Sequence, residues 1–309
     1  MSQNIISSKE KEYRMKQRTY IFSHFLAFVV RMLSYFPLRV LYLLANVIYF
    51  LMAYVFAYRK KVILTNLRNS FPEKSEKLIR RIAKGFYRHL ADVIVETISL
   101  LRISDKELKR RCRFSEESEK LLHHYYDRGQ SVIGLLGHVG NWEWIPPIVT
   151  LTFPFHVIPA YRPLRDLVFD KLMLRVRGRH SHDLVSKYQV GRAVIRYRKS
   201  EKPFILGLIS DQTPQPKGAI WTTFLSQDTP VNSGPEKLAR TFEMPVIFAA
   251  LRKERRGQYV MHIERLTDTP NKLPEGELTR LFMQRLEGEI RACPEYWLWS
   301  HRRWKYKRD

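Results

Sequence analysis

The chain is short of acid. Its 309 residues carry 30 Asp plus Glu against 54 Lys plus Arg, a formal charge of +24 at pH 7. Cysteine is scarcer still: Cys112 and Cys293 are the only two, and no CxxC pairs them. That argues against a disulfide framework or a thiolate metal site and fits a reducing compartment. No GxSxG sequence occurs, so nothing local signals a serine nucleophile, and no HExxH occurs to make a zinc helix. Internal repeats and low-complexity linkers are also missing. Apolar content is an ordinary 45%, so the composition is not that of a disordered chain. No cofactor and no metal are expected.

What is present in excess is positive charge, and it needs a partner rich in negative charge. Nucleic acid is one, and an anionic membrane with its phosphorylated lipids is another. Residues 1–19 are polar and basic, with Lys9, Lys11, Arg14, Lys16 and Arg18. Apolar sequence follows from Tyr20 to Val30 and from Met32 to Phe36, broken by Arg31 and then by Pro37. After Arg39, nineteen uncharged residues run from Val40 to Tyr58 and end at Arg59-Lys60-Lys61. At a rise of about 1.5 Å per residue, such a helix just crosses a hydrocarbon core of about 30 Å. The run is too long and too bulky for a cleaved signal peptide. Basic residues flank both ends, so one span, a Pro-broken hairpin and interfacial helices with Arg31 and Arg39 snorkelling all fit. A long buried core helix is the competing reading. The rings of Tyr20, Phe22, Tyr35, Phe36, Tyr49, Tyr54 and Tyr58 favour membrane attachment, and the apolar N-terminal region has no role in a soluble nucleic-acid binder. The expected division is a membrane-associating region over residues 1–60 and one α/β domain over 61–309.

Beyond Pro72 and Ser75, apolar residues at Leu78, Ile79, Ile82, Phe86, Leu90, Ile94 and Ile98 recur at helical spacing and predict a helix from Glu76 to about Leu100. A more charged helix is expected over Glu116–Tyr126. From Ser131 the pattern changes. Short apolar runs at 131–136, 155–160, 203–209, 245–251 and 258–264 read as strands. Helical patterns at about 141–149, 164–175, 186–199, 233–242 and 275–291 lie between or after them. The expected fold class is α/β, a mixed, mostly parallel sheet flanked by helices.

Four stretches have the residue types for chemistry. In Gly137-His138-Val139-Gly140-Asn141-Trp142-Glu143, a strand gives way to a glycine-flanked turn, with Asn141 placed to cap a following helix. His138 would then sit at the C-terminal mouth of a strand, with Glu143 folded back against its ring. A carboxylate on an imidazole selects one tautomer and raises its basicity, so the ring can take a proton from a hydroxyl. A purely structural His–Glu bond competes with this. Gly137 and Gly140 tip the balance, because they read as room for close approach by a ligand. Without an activated Ser or Cys, the simplest chemistry is direct attack by a substrate hydroxyl. Arg162, in Tyr161-Arg162-Pro163, stands at a strand end where a guanidinium suits phosphate or carboxylate. Arg175 and Arg177, in Arg175-Val176-Arg177-Gly178-Arg179-His180, form a positive cluster at a helix end. Asp211, in Ser210-Asp211-Gln212, emerges from another strand and could clamp an arginine or orient substrate. The C-terminal Trp297, Trp299 and Trp304, among basic neighbours, suit a lipid headgroup surface.

His138-Val139-Gly140-Asn141-Trp142-Glu143 resembles the HxxxxD/E box of glycerolipid-type acyltransferases, and its Gly-Asn-Trp interior is similar to the late acyltransferases of lipid A biosynthesis. Asn66-Leu67-Arg68-Asn69-Ser70-Phe71-Pro72, Tyr161-Arg162-Pro163, Asp211-Gln212 and Trp299-Ser300-His301-Arg302-Arg303-Trp304-Lys305 extend the resemblance from about residue 20 to the end. The branch that makes phosphatidic acid carries a Phe-Pro-Glu-Gly block after its first box. Here Phe71-Pro72-Glu73 lies upstream and lacks the glycine. The resemblance implies an enzyme on the cytoplasmic face of the inner membrane, moving an acyl chain from acyl carrier protein, or coenzyme A, to a hydroxyl of a lipid A precursor. It implies His138 as general base, Glu143 as its partner, and Asp211 with Arg175 or Arg177 positioning substrate and oxyanion. The partners it implies are acyl carrier protein, the anionic membrane and a phosphorylated glycolipid; nucleic acid is not expected. The same chemistry on an aminoacyl lipid or lysophospholipid, or a non-enzymatic basic binding protein, are the alternative readings.

Overall fold

The computed structural model describes residues 20–180, 183–199 and 201–308. The basic segment 1–19 lies outside the described residues. Two apolar helices come first, α1 (Tyr20–Leu33) and α2 (Leu38–Phe50), with a π-helical turn over Leu51–Val55 continuing the second. Together α2 and this turn form one helix of 18 residues, apolar and long enough to cross a membrane. Helix α3 (Lys60–Ser70) leads to α4 (Glu76–Ser99). Ser75 starts α4 by accepting the Leu78 N–H, and Glu76 complements the positive end of its dipole. Then follow α5 (Asp105–Arg111), β1 (Cys112–Phe114) and α6 (Glu116–Asp127), with Ser104 and Ser115 capping the two helices in the same way.

The α/β unit runs β2 (Val132–Leu136), α7 (Ile145–Thr152), β3 (His156–Tyr161), α8 (Leu167–Gly178), β4 (Val185–Ser186), α9 (Val190–Tyr197) and β5 (Phe204–Ile209). A hairpin of β6 (Ile220–Phe224) and β7 (Gln227–Val231) forms its own small sheet. Helix α10 (Gly234–Thr241), β8 (Val246–Arg255), β9 (Gln258–Thr267) and α11 (Glu277–Ala292) complete the domain. The main sheet has seven strands in the order β1-β9-β8-β2-β5-β3-β4. Strands β8, β2, β5, β3 and β4 are mutually parallel, while β9 runs against β8. The fold is therefore the expected α/β class. Strands β1 and β4 and the β6–β7 hairpin went unforeseen, because two or three residues carry no alternation and Thr222, Thr223 and Asp228 read as polar loop.

Each central strand divides its side chains between two cores. Ile133, Leu135, Leu206 and Phe248 face α11 and the start of α4, whereas Val132, Leu136, Ile205 and Ile247 face α2, α5, α6 and α7. Strand β2 is buried at every position, and helices cover both faces of the sheet, as parallel strands require. Helix α4 departs from its expected face. Leu78 and Ile94 are exposed, while His89, Asp92 and Glu96 are buried.

Candidate active site

Parallel pairing decides what meets at the edge of the sheet. Leu136 at the end of β2 is in register with Ile209 at the end of β5. Two residues further along, the chains present His138 and Asp211 side by side. Asp211 Oδ1 accepts a hydrogen bond from His138 Nδ1 at 2.6 Å, and its Oδ2 accepts from the His138 backbone N–H at 2.8 Å. Oδ2 also takes the Trp297 indole N–H at 2.9 Å. With Nδ1 protonated toward Asp211, Nε2 is left as the acceptor, and it lies 3.4 Å from Gln212 Nε2. Burial by itself would raise the Asp211 pKa. The charge His138 carries when its ring is protonated, the two hydrogen bonds from that residue and the Trp297 donor overcome it and lower the carboxyl to about 2.

The carboxylate on the imidazole is thus Asp211, and the expected Glu143–His138 contact is replaced. Glu143 sits in a 3-10 turn (Trp142–Trp144) that carries its side chain away from the ring and into a two-pronged bond with Arg177, at 2.6 and 2.9 Å. Burial works against the Arg177 charge, but Glu143 outweighs it and raises the guanidinium above its ordinary value. Arg177 and Glu143 line the same cavity as His138. Arg175, two residues earlier on α8, is exposed and does not line the cavity. Arg162 is exposed at the rim of that cavity, just past β3.

The cavity holds about 820 Å³ and is lined by His138, Trp142, Glu143, Arg162, Arg177 and Gln212 with apolar walls from Leu136, Pro146, Pro147, Val176 and Leu208. It lies past the C-terminal ends of β2, β5 and β3, where open parallel sheets collect ligands. Among the described residues, no three His, Cys, Asp or Glu side chains converge to hold a metal ion.

Three further expectations are corrected. Gly137 and Gly140 make room for the protein itself, not for a ligand. Gly140 has φ +62°, and a Cβ there would stand 1.9 Å from the Leu251 carbonyl oxygen; a Cβ on Gly137 would meet Leu286 at 2.5 Å. Asn141 does not cap a helix; its side chain donates to Glu96 at 2.7 Å. The tryptophan-rich tail is core, not a lipid-facing surface: Trp297 and Trp299 are buried, and both indole N–H groups have acceptors inside. The tail runs antiparallel beside the His138 loop through a single bridge between Val139 and Trp297, with Leu298 N–H to the His138 carbonyl and Gly140 N–H to the Tyr296 carbonyl. Asn66 holds it from behind by donating to the Trp299 and His301 carbonyls, both at 2.9 Å. Trp297 was legible only as a basic-aromatic run, because nothing local tells an indole that faces lipid from one that faces a buried carboxylate.

A search of curated proteins returns no match to this chain. A family model described as bacterial lipid A biosynthesis acyltransferase matches residues 7–306, and by that match over nearly its whole length the chain belongs to the bacterial lipid A biosynthesis acyltransferase family.

Proposed function

We propose that the protein transfers a fatty acyl chain from acyl carrier protein to a hydroxyl of a lipid A precursor, with His138 as general base and no covalent acyl-enzyme. The observation that carries this reading is the Asp211–His138 pair, which holds Nδ1 and turns Nε2 away from the carboxylate, at the wall of a cavity with apolar sides. Nε2 takes the proton of the acceptor hydroxyl as its oxygen attacks the thioester carbonyl. Asp211 holds the tautomer and steadies the imidazolium that forms. The tetrahedral intermediate collapses by breaking the C–S bond, and the departing thiolate takes the proton back from His138. The products are an ester and the free carrier thiol. Negative charge grows on the carbonyl oxygen in between, and Arg177, oriented by Glu143, is the cation for it. Arg162 at the rim suits a phosphate of the acceptor. The acidity of a carrier protein and of a phosphorylated glycolipid matches the +24 charge.

Residues 1–60 serve as the anchor and 61–309 as the catalytic domain, at the cytoplasmic face of the inner membrane. An interfacial seat for the anchor suits α2 better than a free span. Leu38, Leu41 and Ala45 pack inward, Arg256 donates to the Tyr42 carbonyl, and Arg88 lies over the Tyr49 ring, so charged groups run along one side of the helix. On the outer side Leu43, Val47 and Phe50 are exposed, as are Phe22, Phe25 and Phe28 of α1.

Mass spectrometry of lipid A from a deletion strain tests the function. Loss of one secondary acyl chain is expected, restored by the wild-type gene and not by His138→Ala. Restoration by His138→Ala overturns the mechanism, and an unchanged lipid A profile overturns the acceptor.

A further inference from the structure

Helix α4 carries a carboxylate into the interior directly behind the His138 loop. Glu96 is fully buried, and three donors close around it. Tyr42 Oη donates to Oε1 at 2.6 Å; Asn141 Nδ2 and Tyr259 Oη each donate to Oε2 at 2.7 Å. Its backbone carbonyl accepts the Trp144 indole N–H at 3.1 Å. Two turns earlier on the same helix, His89 Nε2 donates to the Gly140 carbonyl at 3.1 Å. The loop is therefore gripped at residues 140, 141 and 144 by α4, and at 138 by Asp211.

Burying a carboxylate costs several kcal/mol, and an apolar side chain of like volume would fill the space without that cost. What an apolar side chain cannot do is accept from Asn141. Burial pushes the Glu96 pKa up, opposed by the Tyr42 hydroxyl, the Lys253 charge and the Tyr259 hydroxyl. The Tyr42 arm adds a second consequence, because Tyr42 lies on the apolar helix α2 and so joins that helix to the loop through one carboxylate.

We propose that Glu96 is a positioning residue for acyl transfer: it fixes Asn141, and with it the His138 loop, and through Tyr42 ties that loop to the seating of α2. The proposal rests on the reading of His138 as the base. Glu96 touches no substrate, and it acts only through the distance and angle it sets at the ring.

The test uses the full-length enzyme in nanodiscs of anionic phospholipid, with kcat and KM measured across pH. Asn141→Asp puts a second carboxylate against Glu96. At low pH the two share a proton, and at high pH they repel. We expect kcat to fall by about ten- to a hundredfold, more steeply as pH rises, with KM within about twofold. Adding Glu96→Gln to Asn141→Asp exchanges amide and carboxylate across the same gap. This double variant is expected to recover kcat to within about fivefold of wild type and to flatten the pH dependence. Ethoxycarbonylation of His138 by diethyl pyrocarbonate, followed by peptide mass spectrometry, reports the position of the ring without turnover. Its rate should change in Asn141→Asp and return in the double variant. Tyr42→Phe removes one hydroxyl far from the cavity, keeps the fold, and should lower kcat several-fold. An Asn141→Asp enzyme with wild-type kcat and modification rate overturns the proposal. So does a folded double variant no better than the single one, and an unchanged Tyr42→Phe overturns the tie to α2. Should His138→Ala stay active, the mechanism fails by itself, and the modification rate still decides whether Glu96 positions the ring.

Discussion

Asp211 Oδ1 lies 2.6 Å from His138 Nδ1, although 73 residues separate the two in the chain. The nearer carboxylate, Glu143, instead holds Arg177. A carboxylate–imidazole hydrogen bond and a carboxylate–guanidinium ion pair therefore build the candidate site, and replacing a member of each has a different consequence.

Asp211→Asn keeps the shape but not the acceptor pattern. Its oxygen is claimed by the His138 backbone N–H and the Trp297 indole, so its amide nitrogen faces Nδ1 and forces the proton onto Nε2. The base is then blocked. By analogy with Ser-His-Asp triads, kcat should fall on the order of 10³- to 10⁴-fold. Steady-state transfer to the lipid acceptor checks this, and a fall under tenfold would separate Asp211 from the tautomer.

Arg177 and Arg175 stand two residues apart on α8 and should respond very differently. Arg177→Lys loses the two-pronged match to Glu143, and activity should drop more than about tenfold. Arg175→Lys, on the exposed side, should stay within about twofold. Parallel assays of the two purified variants make the comparison, and equal losses would contradict the assignment.

Gly140→Ala should be among the most damaging single-methyl changes in the chain. The backbone is left-handed there, and the new carbon meets a rigid carbonyl rather than a side chain. A destabilisation above about 4 kcal/mol is expected, seen as loss of folded protein from membranes. Gly137→Ala meets the end of Leu286, which can shift, so about 1–3 kcal/mol is expected from thermal unfolding in detergent.

Mild acid should weaken the fold before it touches Asp211. Burial, with the Lys253 charge, lowers His89 to about 3 against the Gly140 hydrogen bond; burial also lowers His301 to about 4. Between those values and the ordinary histidine value near 6.5, the unfolded chain binds more protons than the folded one. Stability therefore falls as pH drops through about 6.5 toward 4, by about 1.4 kcal/mol per pH unit for each fully shifted group. Asp211 is shifted in the same direction but from a lower starting value, so its contribution is complete above about pH 4 and lost only as pH falls toward 2. Denaturant midpoints from pH 7 to 4 should show the loss, and His89→Gln should flatten it.

Much of this was legible in the residues themselves. The nineteen-residue uncharged run, the buried strands at 131–136 and 203–209 and the helix begun at Ser75 follow from periodicity and capping, which act over a few neighbours. His138, Arg162 and Asp211 were found at strand ends for the same reason. Their partners were not, since partnership depends on register. Only the pairing of Leu136 with Ile209 brings Asp211 beside His138, and only the 3-10 turn after Asn141 sends Glu143 to Arg177. The same limit applied to Glu96 and Trp297. Nothing local marks Glu96 for burial, and a tryptophan in a basic tail reads as a headgroup surface, until tertiary packing supplies the buried donors and acceptor that make burial of their polar atoms favourable. The chain determined by itself which polar groups stand at strand ends; the three-dimensional fold decided which of them touch, because contacts between distant segments are set by sheet register and packing rather than by spacing.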